Sequence, residues 1–195
     1  MTAARGVRVR PVPDRLNAPP AVWFFPSDYA GFWRRLGVAL ADTAVILLIL
    51  LAVTVTVALL DPVGEWNDAY LFAGWAALVW TYFVVLKRTP LGTVGYRLAG
   101  VRVVDAYGRP PGLGALTLRL AFGILGPLNI VLDLVWILSG QHRQALRDKF
   151  AHTYVVKAGA QPAGPARVVL RTHHVLGVAV VFRDVEAVSV GGAPR

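Results

Sequence analysis

Two stretches of the chain are apolar all round, with neither the alternation of a half-buried strand nor the single stripe of a soluble helix. TAVILLILLAVTVTVALL runs 18 residues without a charge from Thr43 to Leu60, and AYLFAGWAALVWTYFVVL runs 18 more from Ala69 to Leu86. At ~1.5 Å per residue each covers ~27 Å, about the thickness of a hydrocarbon core, so both predict membrane-crossing helices. The first extends back through FWRRLGVALAD to give a long helix over 32–60. Its valines and threonines favour strands in water, but a bilayer leaves the backbone only a helix or a closed barrel. Trp23, Phe24, Phe25, Tyr29 and Trp33 precede this helix, and Trp66, Tyr70, Trp80 and Tyr82 flank the second, as interfacial aromatics do. Ser27 or Asp28 suits the N-cap of the first helix.

A third apolar region, Ala115 to Leu138, has a different pattern. It carries Arg119, Asn129 and Asp133 and is split at Gly126-Pro127. Halves of about 12 residues span only ~18 Å each, too short to cross singly. A hairpin that dips in and returns at the Gly-Pro bend is preferred over a single kinked crossing. The resulting expectation is an all-α membrane protein: two full transmembrane helices (32–60 and 69–86) and a Gly-Pro-broken third region (115–138). A small cytoplasmic β pair is also expected, from the alternation in GVRVV at 100–104 and a strand candidate, TYVVK at 153–157, that could pair with it.

Residues 1–22, rich in Arg, Pro and Ala and without periodicity, read as a disordered basic arm. Residues 23–157 form the membrane domain. AGAQPAGP opens a linker and tail over 158–195, whose Val-rich pieces are too short to span and whose structure the sequence leaves open. The glycines of TPLGTVGYRLAG read as tight turns against the membrane surface rather than as a phosphate loop, since the Lys-Ser/Thr pair is missing.

Composition fits a bilayer: 56% hydrophobic residues and only 16% charged, against roughly 25% in soluble domains. The absence of cysteine excludes disulfides, thiol nucleophiles and thiolate metal sites. A net charge of +9 would suggest nucleic acid in a soluble protein, but its placement points elsewhere. Arg5, Arg8, Arg10, Arg15, Arg34 and Arg35 precede the first apolar run, and Lys87, Arg88, Arg97, Arg102 and Arg109 follow the second. The loop between the two runs holds Asp61, Glu65 and Asp68 and no basic residue. By the positive-inside rule the N-terminus is cytoplasmic and the acidic loop outside. The hairpin in the third region keeps Arg143, Arg147, Lys149 and Lys157 on that same side.

The segment QHRQALRDKFAHTYVVK at 141–157 resembles the RDD family of bacterial membrane proteins, named for an arginine and two aspartates. The pattern maps onto Arg35, onto Asp42 seven residues later, and onto Asp148. The Gly-Thr-x-Gly, Val-Val-Asp and Leu-x-Arg pieces of the stretch from Thr89 to Arg119 resemble the family's linking segment. Two positions depart from its pattern: Tyr96 stands where a lysine is common, and Arg147 where a histidine is. The resemblance implies a multi-pass protein of the bacterial inner membrane.

Seven residues on a helix place Arg35 and Asp42 on nearly one face but ~10.5 Å apart, too far to pair with each other. A charge in hydrocarbon needs a partner, so each must be answered from elsewhere. Charge and depth nominate Asp148 for Arg35 and Arg119 for Asp42, with Asp133 and Asn129 as further members of the polar network. Two functions fit: a small membrane scaffold or transport-related protein held by this network, or a cation or proton transporter, oligomeric if so small a unit is to carry an ion, using Asp42 and Asp133. Neither a GxSxG elbow nor metal-ligand spacing of His142, His152, His173 and His174 occurs, so no catalytic residue, metal or cofactor is expected. The expected partners are the lipid bilayer and a second copy or another membrane protein, with no nucleic acid.

Overall fold

A computed structural model of the chain describes residues 9–11, 20–61, 64, 67–124, 133, 143–175 and 178–188. Strands β1 (Val9–Pro11) and β2 (Ala21–Trp23) lead to a 3-10 turn at Pro26–Asp28 and then to helix α1 (Phe32–Leu60). The N-cap of α1 is Gly31 in an extended conformation, with no side-chain cap, so neither Ser27 nor Asp28 serves there. Within α1 the hydroxyls of Thr54 and Thr56 donate to the carbonyls of Leu50 and Ala52, at 2.9 and 2.8 Å. The threonines thereby satisfy their polar atoms inside the helix, which makes them compatible with a lipid-facing surface.

Helix α2 (Asp68–Trp80) starts from Asn67, whose side-chain oxygen accepts from the Ala69 N–H at 2.8 Å. It continues as a π-helical stretch over Thr81–Leu86, an irregularity that often marks a functional position. Both apolar helices are long enough to cross a membrane, and few of their residues are buried within the chain itself. Helix α3 (Val94–Leu98) and strand β3 (Val101–Asp105) follow. The third apolar region is described as helix α4 (Leu113–Ile124) and at Asp133; the Gly126-Pro127 bend and Asn129 lie outside the described residues.

The short helix α5 (Leu146–Phe150) precedes strands β4 (Thr153–Lys157), β5 (Gly164–Val175) and β6 (Val178–Ala187). The all-α expectation is therefore corrected: the chain combines its helices with two antiparallel sheets. One is the pair β3–β4, in register Val101↔Lys157 through Asp105↔Thr153. In the other, β5 is central, with β6 on one side and β1 and β2 on the other. The tail's Val-rich pieces, too short to span a bilayer, close on each other as a hairpin from Ala166↔Ala187 to Val175↔Val178. The pairing satisfies their backbone groups without a membrane.

Strand β4 holds the two halves together because its side chains alternate between faces. Val155 points with Val101, Val103, Tyr96, Leu116 and Val84 into a core at the helix ends. Tyr154 and Val156 turn the other way, into a second core with Phe24, Tyr29, Ala166 and Val185 under the tail sheet. Tail and helices meet again where Phe150 of α5 stacks on Phe122 at 4.9 Å and meets Phe182 of β6 edge-on at 5.2 Å.

Candidate functional site

The first third of α1 buries two charged side chains, Arg35 and Asp42. Arg35 reaches α5: its Nη1 meets Asp148 Oδ2 at 2.5 Å, and its Nε donates to the Ala30 carbonyl at 3.0 Å. The second bond matters for register, because the Ala30 N–H donates to Val155 O at 2.9 Å. One guanidinium therefore ties the lead-in of α1, strand β4 and helix α5 together.

Asp148 sits at the third position of α5, and its Oδ2 accepts from the Ala145 N–H at 3.3 Å, closing the helix start. Its Oδ1 faces Arg119 Nη1 of α4 at 2.5 Å. The carboxylate is wholly buried, between arginines that are 7% and 6% exposed. Burial alone would raise its pKa, but Arg119 and Arg35 outweigh that and hold it at about 2. Arg119 also donates to Thr153 Oγ1 at 2.5 Å and to the Tyr96 hydroxyl at 3.3 Å. The Lys87 ammonium lies over the Tyr96 ring, 4.6 Å from its centroid.

Asp42 has a different set of partners. Its Oδ1 accepts from the Tyr82 hydroxyl at 2.9 Å and from the Gly95 N–H at 2.7 Å, and its Oδ2 accepts from Thr93 Oγ1 at 2.8 Å. Every one of these donors is neutral. The Arg119–Asp42 pairing expected from charge and depth is thus corrected: Arg119 lies on Asp148, because α3 occupies the space beside Asp42. The Arg35–Asp148 pairing is present.

The Gly92-Thr93-x-Gly95 segment turns the chain, as its glycines suggest, and also receives the Asp42 carboxylate. Gly92 takes a φ of +62°, which reverses the chain after α2. Thr93 caps α3 through its hydroxyl, which accepts from the Tyr96 N–H at 3.4 Å while donating to Asp42. A Cβ at Gly95 would come within 2.5 Å of the Val38 carbonyl and 2.8 Å of the Asp42 carboxylate, so only glycine allows α3 to lie against α1. The π-helical stretch carries Tyr82, whose hydroxyl donates to Asp42 and accepts from the Val94 N–H at 3.1 Å.

Asp133 adjoins the Asp148 cluster without contacting Arg35 or Arg119 directly among the described residues. Its Oδ1 accepts from the Leu146 N–H at 3.1 Å, and its Oδ2 faces Arg147 Nε at 3.1 Å, so it too secures the start of α5. The structure therefore brings Arg35, Arg119 and Asp148 into one cluster, with Asp133 beside it and Asp42 in a separate one. Sequence reasoning missed Tyr82, Thr93, Gly95 and Thr153 as members. The available signal was the Gly-Thr-x-Gly spacing and the threonine of RDKFAHTYVV, both visible but read without their partners. No group of acidic or histidine side chains that could hold a metal ion occurs among the described residues.

Residues 29–152 match the sequence model of the RDD family. Among curated proteins, the "Uncharacterized protein YckC" of Bacillus subtilis (strain 168) is 30% identical over 135 residues, covering 66% of this chain and 85% of that protein. No solved structure matches.

Proposed function

The chain belongs to the RDD family of membrane proteins, and we propose that it acts as a small membrane scaffold. In this reading the signature residues clamp a post-membrane β module to the ends of the membrane helices. The observation that carries it is that protein groups cover both signature carboxylates. Asp42 accepts from two hydroxyls and a backbone N–H, and Asp148 is held by two guanidinia. A carboxylate that takes up and releases an ion needs an open coordination face, and neither group offers one.

The clamp performs no chemical step, and the protein is proposed to be no enzyme. The bilayer is the proposed partner for the exposed faces of α1 and α2, with a second copy or another membrane protein as the alternative occupant and no role for nucleic acid. The proposed location is the bacterial inner membrane, with a multi-pass chain and a cytoplasmic N-terminus, a reading that the arginines before α1 and after α2 support.

The rival reading is cation or proton transport through Asp42 and Asp133. Purified protein in liposomes separates the two. The scaffold reading expects no ion-dependent flux with the natural sequence and none with Asp42→Asn, while that variant still assembles. Flux that vanishes in Asp42→Asn would establish transport and remove the scaffold reading.

A further inference from the structure

We propose that the outer face of α3, with the turn before it, binds the headgroup and upper acyl chains of an anionic phospholipid. Helix α3 is two-faced. Gly95 packs on Val38 and Asp42 of α1 and Tyr96 is buried, whereas Val94 and Leu98 of α3 and Leu91 of the preceding turn are exposed, Leu98 to 76%. Three bare aliphatic side chains on one short element are out of place in water.

The level of α3 is set by its contacts on α1. It lies on Val38 and Asp42, immediately before the uncharged run that begins at Thr43. This puts the aliphatic face at the edge of the hydrocarbon, with Trp33 exposed one helical turn or more further out.

Charge then selects the lipid. Segments 29–41 and 84–104 contain no acidic residue, yet they hold Arg34, Arg35, Lys87, Arg88, Arg97 and Arg102. Three of these are engaged: Arg35 on Asp148, Lys87 over Tyr96, and Arg102 donating to the Ala160 carbonyl at 2.7 Å. Arg34, Arg88 and Arg97 are exposed and have no carboxylate partner among the described residues. Arg34 donates to the Ala99 carbonyl at 2.8 Å, which fixes its guanidinium at the C-terminal end of α3. Arg34 and Arg97 thus bring uncompensated guanidinia to α3 itself, and Arg88 adds another just after the π-helical stretch that ends α2. A free phosphate would satisfy the arginines and leave the leucines in water, whereas a phosphatidylglycerol covers both.

The test uses the full chain in phosphatidylcholine vesicles carrying spin-labelled phosphatidylglycerol or spin-labelled phosphatidylcholine, and reads their relative association with the protein. The natural sequence is expected to prefer phosphatidylglycerol, and Arg88→Gln and Arg97→Gln each to reduce that preference by about fivefold. The pair Arg88→Lys with Arg97→Lys retains the preference, which separates loss of charge from loss of fold. Inorganic phosphate, compared with chloride at equal ionic strength, leaves the lipid in place. Equal association of the two lipids with the natural sequence would overturn the proposal, as would a preference that survives the double glutamine variant. Displacement by inorganic phosphate would also overturn it, in favour of a free-anion site.

Discussion

Asp42 and Asp148 are both buried carboxylates of one family signature, yet they are stabilised in opposite ways. Asp42 is held by hydroxyls and a backbone N–H and forms no ion pair among the described residues. Asp148 sits between Arg35 and Arg119. The difference follows from what each joins. Asp42 docks a helix end against a helix wall at the edge of the apolar span, where glycine allows backbone to approach and backbone can donate. Asp148 joins three elements distant in sequence, α1, α4 and α5, through the long side chains of two arginines. One is a close-packed joint, and the other an electrostatic one.

The strongest way to break this contrast is to remove the carboxylate from the electrostatic joint. Asp148→Ala leaves two buried guanidinia facing each other and is expected to destabilise the protein by about 3–5 kcal/mol in denaturant unfolding from detergent micelles. Gly95→Ala attacks the close-packed joint instead. Its Cβ meets the Val38 carbonyl and Asp42, so a loss of about 1–3 kcal/mol is expected in the same assay, with α3 rather than α5 becoming protease-sensitive.

Acid probes the electrostatic joint without a mutation. The folded Asp148 pKa is held at about 2, below its ordinary value near 4, so the group contributes stability in full above that ordinary value. The contribution, about 2 kcal/mol, is lost as pH falls from about 4 through 2. An acid titration of stability should show this loss in the natural sequence and not in Asp148→Asn. The smallest expected effect is that of Tyr82→Phe, which removes one of three donors to Asp42 and should lower stability by about 1 kcal/mol without altering the acid profile.

The two long helices were legible because 18 uncharged residues in a row leave few alternatives, and the β3–β4 pair because its valines alternate. The tail sheet was not. β1 and β2 lie in a segment with no periodicity, and their pairing partner β5 begins more than 140 residues later, beyond anything local propensity can report. All four strands of that sheet also lie outside residues 29–152, the part that matches the family. At the site, charge complementarity found Arg35–Asp148 but misassigned Arg119, since it searches for cations and cannot see that Thr93 and Gly95 fill the space around Asp42. Buried carboxylates satisfied by neutral donors leave no charge pattern in a sequence; what they leave is a glycine, here one whose Cβ has no room.

A double-mutant cycle across the electrostatic joint tests the clamp most directly. Arg35→Gln and Asp148→Asn should each destabilise the protein, and the double variant should lose clearly less than the sum of the two single losses, since the same ion pair is removed once. Losses that simply add would show that Arg35 and Asp148 do not act as a pair, and would contradict the clamp.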